Sequence, residues 1–240
     1  MKKIWHKSES GKKKNSWPKA VIIGVFVALL SVAGWSFWEI WQEYNLPAEE
    51  IVTKAVDNTL NHENYSFQAA AYRQNNESKE TICIVNGEIN GANAHLYGKI
   101  NLVDSDFEIY QIGDSYYRRD SVDGRWLTVD NLGMEAAENL VTEINPLNLL
   151  RFSRPFEVEY LGKEVIDGKK YRKFEILNYV TDEYLTYDWQ NILLTVWVDK
   201  KEGIYRAEVL ANEKDEPEKY LTLQVDFQLN DDVELIKAPI

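Results

Sequence analysis

The stretch "YLTLQVDFQL" (residues 220–229) sets Leu221, Leu223, Val225, Phe227 and Leu229 against Thr222, Gln224, Asp226 and Gln228. Successive side chains of an extended chain point to opposite faces, so this period of two predicts a β-strand with one dry and one wet face. A helix would space its apolar residues three and four apart. The same alternation recurs upstream. Tyr65, Phe67, Ala69 and Ala71 alternate with more polar neighbours, and Leu96, Gly98, Ile100 and Leu102 with His95, Tyr97, Lys99 and Asn101. Gly113-Asp114, Asp123-Gly124 and Asp167-Gly168 stand between such runs. They predict tight hairpins, whose central residues favour positive φ. "DKKEG" (199–203) reads as a longer hairpin loop ending in glycine. Strands joined in this way form an antiparallel meander rather than parallel crossover units.

Helical spacing appears in three places. Pro47 suits a first-turn position, Glu49 and Glu50 suit a helix N-terminus, and Ile51, Val52, Ala55, Val56, Thr59 and Leu60 make one stripe. "NHEN" (61–64) ends that helix. In "MEAAENLVTEINPLNLLRF" (134–152), Ala137, Leu140, Val141 and Ile144 share a face until Pro146 ends or kinks it. "TDEYLTYDWQNI" (181–192) predicts a short second insertion capped by Thr181 or Asp182. The fold class is therefore α+β, a curved antiparallel sheet with helices on its concave face.

The first 45 residues set the expected location. Ala20–Trp38, within "AVIIGVFVALLSVAGWSFWEIW" (20–41), carries no charged side chain. A helix of that length is about 28 Å long, close to the hydrocarbon thickness of a bilayer. Trp17 stands at one end and Trp35, Trp38 and Trp41 at the other, as for rings at two membrane interfaces. Residues 1–19 hold seven lysines against Glu9, whereas Glu39, Glu43, Glu49 and Glu50 follow the run. Positive flanks stay inside. The expectation is a basic cytoplasmic tail (1–19), a single transmembrane helix (20–41), a short linker (42–48) and an extracytoplasmic β-rich domain (49–240). Ser31-Val32-Ala33 also fits a signal cleavage site, which would make the domain secreted.

Composition narrows the chemistry. The chain carries a net charge of −12 although residues 1–19 are themselves basic, so the domain that follows is strongly acidic, which argues against nucleic acid as a partner. Cys83 is the only cysteine; it permits no intrachain disulfide, and within "TICIV" it reads as a buried structural thiol. His6, His62 and His95 make no metal-ligand spacing. "DSDFE" (104–108) lacks the glycine and final glutamate of a calcium loop and reads as a turn. There is no G-x-S-x-G, phosphate loop or dinucleotide fingerprint. The expectation is a protein that is not an enzyme and uses no metal or cofactor.

One leading helix, a long antiparallel sheet and a mid-chain helical insertion form a known order. Its local carriers are "GRWLTV" (124–129), "YLGKEVIDGKKYRKFEI" (160–176), "LTVWVDKKEGIYRAEVL" (194–210) and "LTLQVDF" (221–227). In these the chain resembles the LolA/LppX–LprG superfamily of lipoprotein carriers and lipid-binding lipoproteins. The resemblance implies a half-barrel whose concave apolar face, closed by helices, takes acyl chains from a lipid or lipidated protein. It also implies an alternative use, a non-catalytic sensor contacting a membrane protein partner. A tether departs from the shuttling carriers and fits local lipid handling or sensing better. The more uniformly apolar face of each strand gives the expected lining: Phe156, Val158, Tyr160, Phe174, Ile176, Leu194, Val196, Val198, Tyr205, Ala207, Val209, Leu223, Val225 and Phe227, with Leu140, Val141 and Ile144 from the helix. An ordinary packed core would use the same residues.

Overall fold

The alternation in 220–229 does build a strand, one of eleven in a single antiparallel sheet. The computed structural model describes residues 46–75, 78–128, 146–152, 156–177, 179, 188–229 and 234–239. The strands are β1 (Asn64–Gln74), β2 (Lys79–Asn90), β3 (Asn93–Ile100), β4 (Ser105–Ile112), β5 (Ser115–Arg119) and β6 (Trp126–Thr128), then β7 (Glu157–Ile166), β8 (Lys169–Leu177), β9 (Trp189–Val198), β10 (Ile204–Glu213) and β11 (Tyr220–Leu229). Their order across the sheet is β6-β5-β4-β3-β2-β1-β11-β10-β9-β8-β7. The chain thus lays down one meander from the middle to one edge, β1 to β6. It then passes to the other edge and winds back, until β11 pairs with β1 along ten residues, Tyr65 opposite Leu229 through Gln74 opposite Tyr220. That one long-range seam joins two local meanders.

Helix α1 (Ala48–Leu60) precedes the sheet and buries Ile51, Val52, Ala55, Val56 and Thr59, the stripe that its spacing predicts. Pro47 stands one position earlier than expected, at the N-cap, where its carbonyl accepts from the N–H groups of Glu50 and Ile51 at 3.0 and 3.2 Å. The stripe packs with Phe174, Val196, Val209, Val225 and Phe227 in one hydrophobic cluster, so α1 lies on the concave face. Pro146–Leu150, a 3₁₀ turn between β6 and β7, adds Leu147 and Leu150 to the same cluster. The expected helix carrying Leu140, Val141 and Ile144 lies outside the described residues, as does the expected transmembrane helix at 20–41. Among the described residues no helix is long and apolar enough to cross a membrane.

The turns refine the expectation. Asp167 (φ 50°) and Gly168 (φ 76°) form the two-residue hairpin between β7 and β8. Asp123-Gly124 instead belongs to a longer loop between β5 and β6, shaped by Asp120 Oδ1, which accepts from the N–H groups of Val122 and Asp123 at 2.7 and 3.2 Å. In 199–203 the left-handed residue is Glu202 (φ 61°). Gly203 packs closely on Leu229, since a Cβ there would lie 2.7 Å from Leu229 Cδ1 and that side chain would have to shift. The helix expected over 181–192 is corrected at its end. Trp189–Ile192 open β9, because Trp and Ile suit a pleated surface and a paired neighbour was available in β10. Leu102 leaves the alternation of β3 and stands in a 3₁₀ turn, Asn101–Val103, 66% exposed.

A buried hydroxyl ties α1 to the sheet. Thr59 Oγ1 donates to Ala55 O at 2.8 Å and accepts from the Ile204 N–H at 2.9 Å, with Thr59 fully buried. Thr59→Val keeps the shape and strands that N–H. It is expected to cost about 1–3 kcal/mol, read as a lower urea midpoint for the full chain, whereas Thr59→Ser recovers most of the loss.

The convex face carries a polar cross-strand row. Lys173, Trp197, Arg206, Asp226, Gln68, Asn86, Tyr97 and Glu108 are successive register partners from β8 to β4. Trp197 lies between Lys173 Nζ and the Arg206 guanidinium, 4.8 and 5.9 Å from its centroid, and Arg206 grips Asp226 with two hydrogen bonds of 2.5 and 2.6 Å. Trp197 Nε1 donates to Glu164 Oε2 at 3.0 Å, and this bond, helped by Lys173, holds the Glu164 carboxyl below its usual range. A lowered folded pKa contributes stability above the unfolded value and loses it as pH falls through the folded one. Glu164→Gln is therefore expected to lower the urea midpoint at about pH 7, and the difference from the wild type to shrink as pH falls through the lowered folded value.

Candidate functional site

The concave face is closed at one side and open at the other. One inward row runs Phe174, Val196, Ala207, Val225, Ala69, Val85, Gly98, Phe107 across eight strands. The next runs Ile176, Leu194, Val209, Leu223, Ala71, Cys83, Ile100. In β8–β10 every member is 0–1% exposed, under α1. Beyond β11 the same rows change. Ala69, Cys83, Val85 and Phe107 are half-buried and Ile100 is 39% exposed.

Side-chain size accounts for the contrast. The closed side presents Phe, Ile, Leu and Val, which fill the space up to α1. Among the described residues the other side presents smaller side chains at Ala69, Ala71, Cys83 and Gly98 beside Val85, Ile100 and Phe107, and of these Ala71 is buried. Gly98 is required there, since a Cβ would lie 2.1 Å from the Ile84 carbonyl oxygen. Gly87 is likewise held small by the Phe67 ring, 2.2 Å from its ideal Cβ. Burial pushes the Cys83 thiol above its ordinary pKa, opposed by a backbone hydrogen bond at Ala71. The candidate site is thus a half-buried apolar strip of the concave face, here termed the trough, in which Ala69, Cys83 and Gly98 stand among Val85, Ile100 and Phe107.

Of the residues expected to line a cavity, Phe174, Ile176, Leu194, Val196, Val198, Val209, Val225 and Phe227 are 0–3% exposed and pack with α1. Phe156, Val158 and Leu223 are half-buried against that cluster. Tyr160, on edge strand β7, is 47% exposed, with its ring 5.2 Å from that of Phe174. Tyr205 is on the opposite face. Register slips between Ile204 and Arg206, which inserts one residue, so Ile204 and Ala207 point inward while Tyr205 stacks on Tyr171 at 4.2 Å. Strict alternation does not foresee a bulge. The open-side residues Ala69, Cys83, Val85, Ile100 and Phe107 were missing from the expected lining. Ala69 and Cys83 offer only smallness at inward positions, which a search for large apolar side chains passes over, whereas Val85, Ile100 and Phe107 were apolar at inward positions of strands left out of that list.

No protein-family model matches the chain, and no curated protein matches it in sequence. Solved structures do. LprF from Mycobacterium bovis superposes with a TM-score of 0.50 at 11% identity, over 80% of this chain and 96% of its own. The Mycobacterium tuberculosis lipoprotein LppX gives 0.45 at 13% identity, over 78% and 100%. A LolA superfamily protein from Nitrosomonas europaea gives 0.31 at 12%, over 78% and 94%. At such identities the likeness is one of fold, and the fold is LolA/LppX–LprG-like, as the sequence resemblance implies.

Proposed function

We propose that this chain is a membrane-tethered extracytoplasmic binding protein that holds an apolar ligand, the acyl chains of a lipid or lipidated protein, in the trough over β1–β4. One observation carries the reading. Inward rows that are sealed at β8–β10 stay half-open at Ala69, Cys83, Val85, Ile100 and Phe107. An apolar surface left open inside a concave sheet favours a ligand of the same polarity. A sensor that needs only its outer surface would be expected to fill the trough, so the open rows favour the ligand reading over that alternative. The LolA-like fold is compatible with this use, and an acidic domain following a lysine-flanked hydrophobic run supports a membrane-tethered reading.

Cys83 makes the proposal testable without a substitution. In the full chain in mild detergent, a water-soluble maleimide reacts with this one thiol at a measurable rate. Added diacylglycerol is expected to slow that reaction at least several-fold, and Ala69→Trp, which fills the trough, to remove the effect of lipid. A rate that diacylglycerol leaves unchanged in the wild type overturns the reading.

A further inference from the structure

We propose a second binding site on the convex face, whose ligand is an oligosaccharide free of acidic groups. Two hollows open there, of about 910 and 400 Å³, and both include Tyr97 in their walls. Four aromatic rings run in unbroken contact beside them. Trp126 meets Tyr110 edge-on at 5.4 Å, Tyr110 stacks on His95 at 4.0 Å, and His95 lies 5.0 Å from Tyr97. Tyr97 presents its ring to solvent, 40% exposed. Such rings stabilise neighbouring strands through cross-strand contact, and an exposed ring at the head of the row is also free to stack on a ligand.

The polar groups around the rings are planar and already oriented. Glu108 is held between His95 Nε2 at 3.1 Å and Arg119 Nη1 at 3.3 Å, and Gln68 Nε2 donates to Asn86 Oδ1 at 3.1 Å. A sugar ring has an apolar C–H face, which stacks on an aromatic ring, and equatorial hydroxyls, which bond in plane with carboxylates, amides and guanidinium groups. Side chains fixed by one another lose little freedom on binding. The walls also exclude other ligands. Large apolar side chains are few, Val103 and Phe107 at the larger hollow and Phe67 at the smaller, so polar groups make most of both linings. Asp104, Asp106, Glu108 and Asp120 against Arg119 line the larger hollow, so an anionic glycan would be repelled.

The test uses the full chain in detergent micelles, with chitohexaose and cellohexaose as neutral probes and hyaluronan as the acidic one, followed by calorimetry. Binding of at least one neutral probe is expected, weakened tenfold or more by Tyr97→Ala and by Asn86→Ala and unchanged by Tyr160→Ala at the far edge of the sheet. Two solvent-facing variants guard against a folding artefact in either. Failure of both neutral probes to bind, binding that neither Tyr97→Ala nor Asn86→Ala weakens, or preference for hyaluronan overturns the proposal. Diacylglycerol protection of Cys83 reports separately on the trough.

Discussion

Gly98→Ala is expected to destabilise the domain by about 3 kcal/mol or more, among the largest effects of any single methyl group added to this chain. The new Cβ would sit 2.1 Å from the Ile84 carbonyl oxygen and 3.0 Å from Val85 Cα. Both are backbone atoms of the neighbouring strand, paired with β3 from Cys83–Ile100 to Asn90–Asn93. A flexible side chain can swing aside, but a paired strand moves only by breaking its ladder. For a domain of this size the loss corresponds to a drop in Tm of about 6–12 °C. Gly87→Ala is the internal comparison. Its clash is with side-chain atoms, Phe67 Cε1 and Leu96 Cδ2, which can yield in part, so it is expected to cost less. Thermal unfolding of the two variants beside the wild type checks the ranking, and equal losses would show that the strand backbones are more pliant than the register implies.

Phe174→Ala is expected to cost about 3–5 kcal/mol. Phe174 is 1% exposed and faces Val196 across the strand pair, in the cluster that includes α1. Truncating it removes the largest side chain from the closed side of the sheet and leaves a hole that α1 cannot collapse into. Its neighbour Tyr160 provides the contrast. That ring contacts Phe174 at 5.2 Å yet is 47% exposed, so Tyr160→Ala is expected to cost only about 1 kcal/mol. Urea midpoints of the two variants measure the difference. A cost for Phe174→Ala no greater than that for Tyr160→Ala would mean that the closed side is not a packed core.

The sheet was legible in the sequence because its faces differ. Alternation of Leu221 to Leu229 identified β11, and Asp167-Gly168 located the β7–β8 hairpin, since both rest on local chemistry. The seam between β1 and β11 was not legible. It joins residues some 150 positions apart, and nothing in either strand names its partner beyond an apolar face. Tyr205 was assigned to the wrong face for a related reason. One extra residue breaks the alternation where it is inserted, and the slip between Ile204 and Arg206 leaves no mark in composition. Trp189–Ile192 took strand form although the segment began with a helix-capping pattern, since pairing with β10 outweighed local preference. The trough was hidden most deeply. Part of it is made of small residues, Ala69, Cys83 and Gly98, and a list of large apolar residues passes over them.

The measurement that bears most directly on the account is native mass spectrometry of the full chain ejected from mild micelles, with organic extraction of the same sample. A stoichiometric lipid-sized adduct is expected, recovered in the extract and lost in Ala69→Trp, while Tyr160→Ala retains it. A wild-type chain that emerges at its bare mass, and takes up no added diacylglycerol, would contradict the claim that the open half of the concave face is a ligand site.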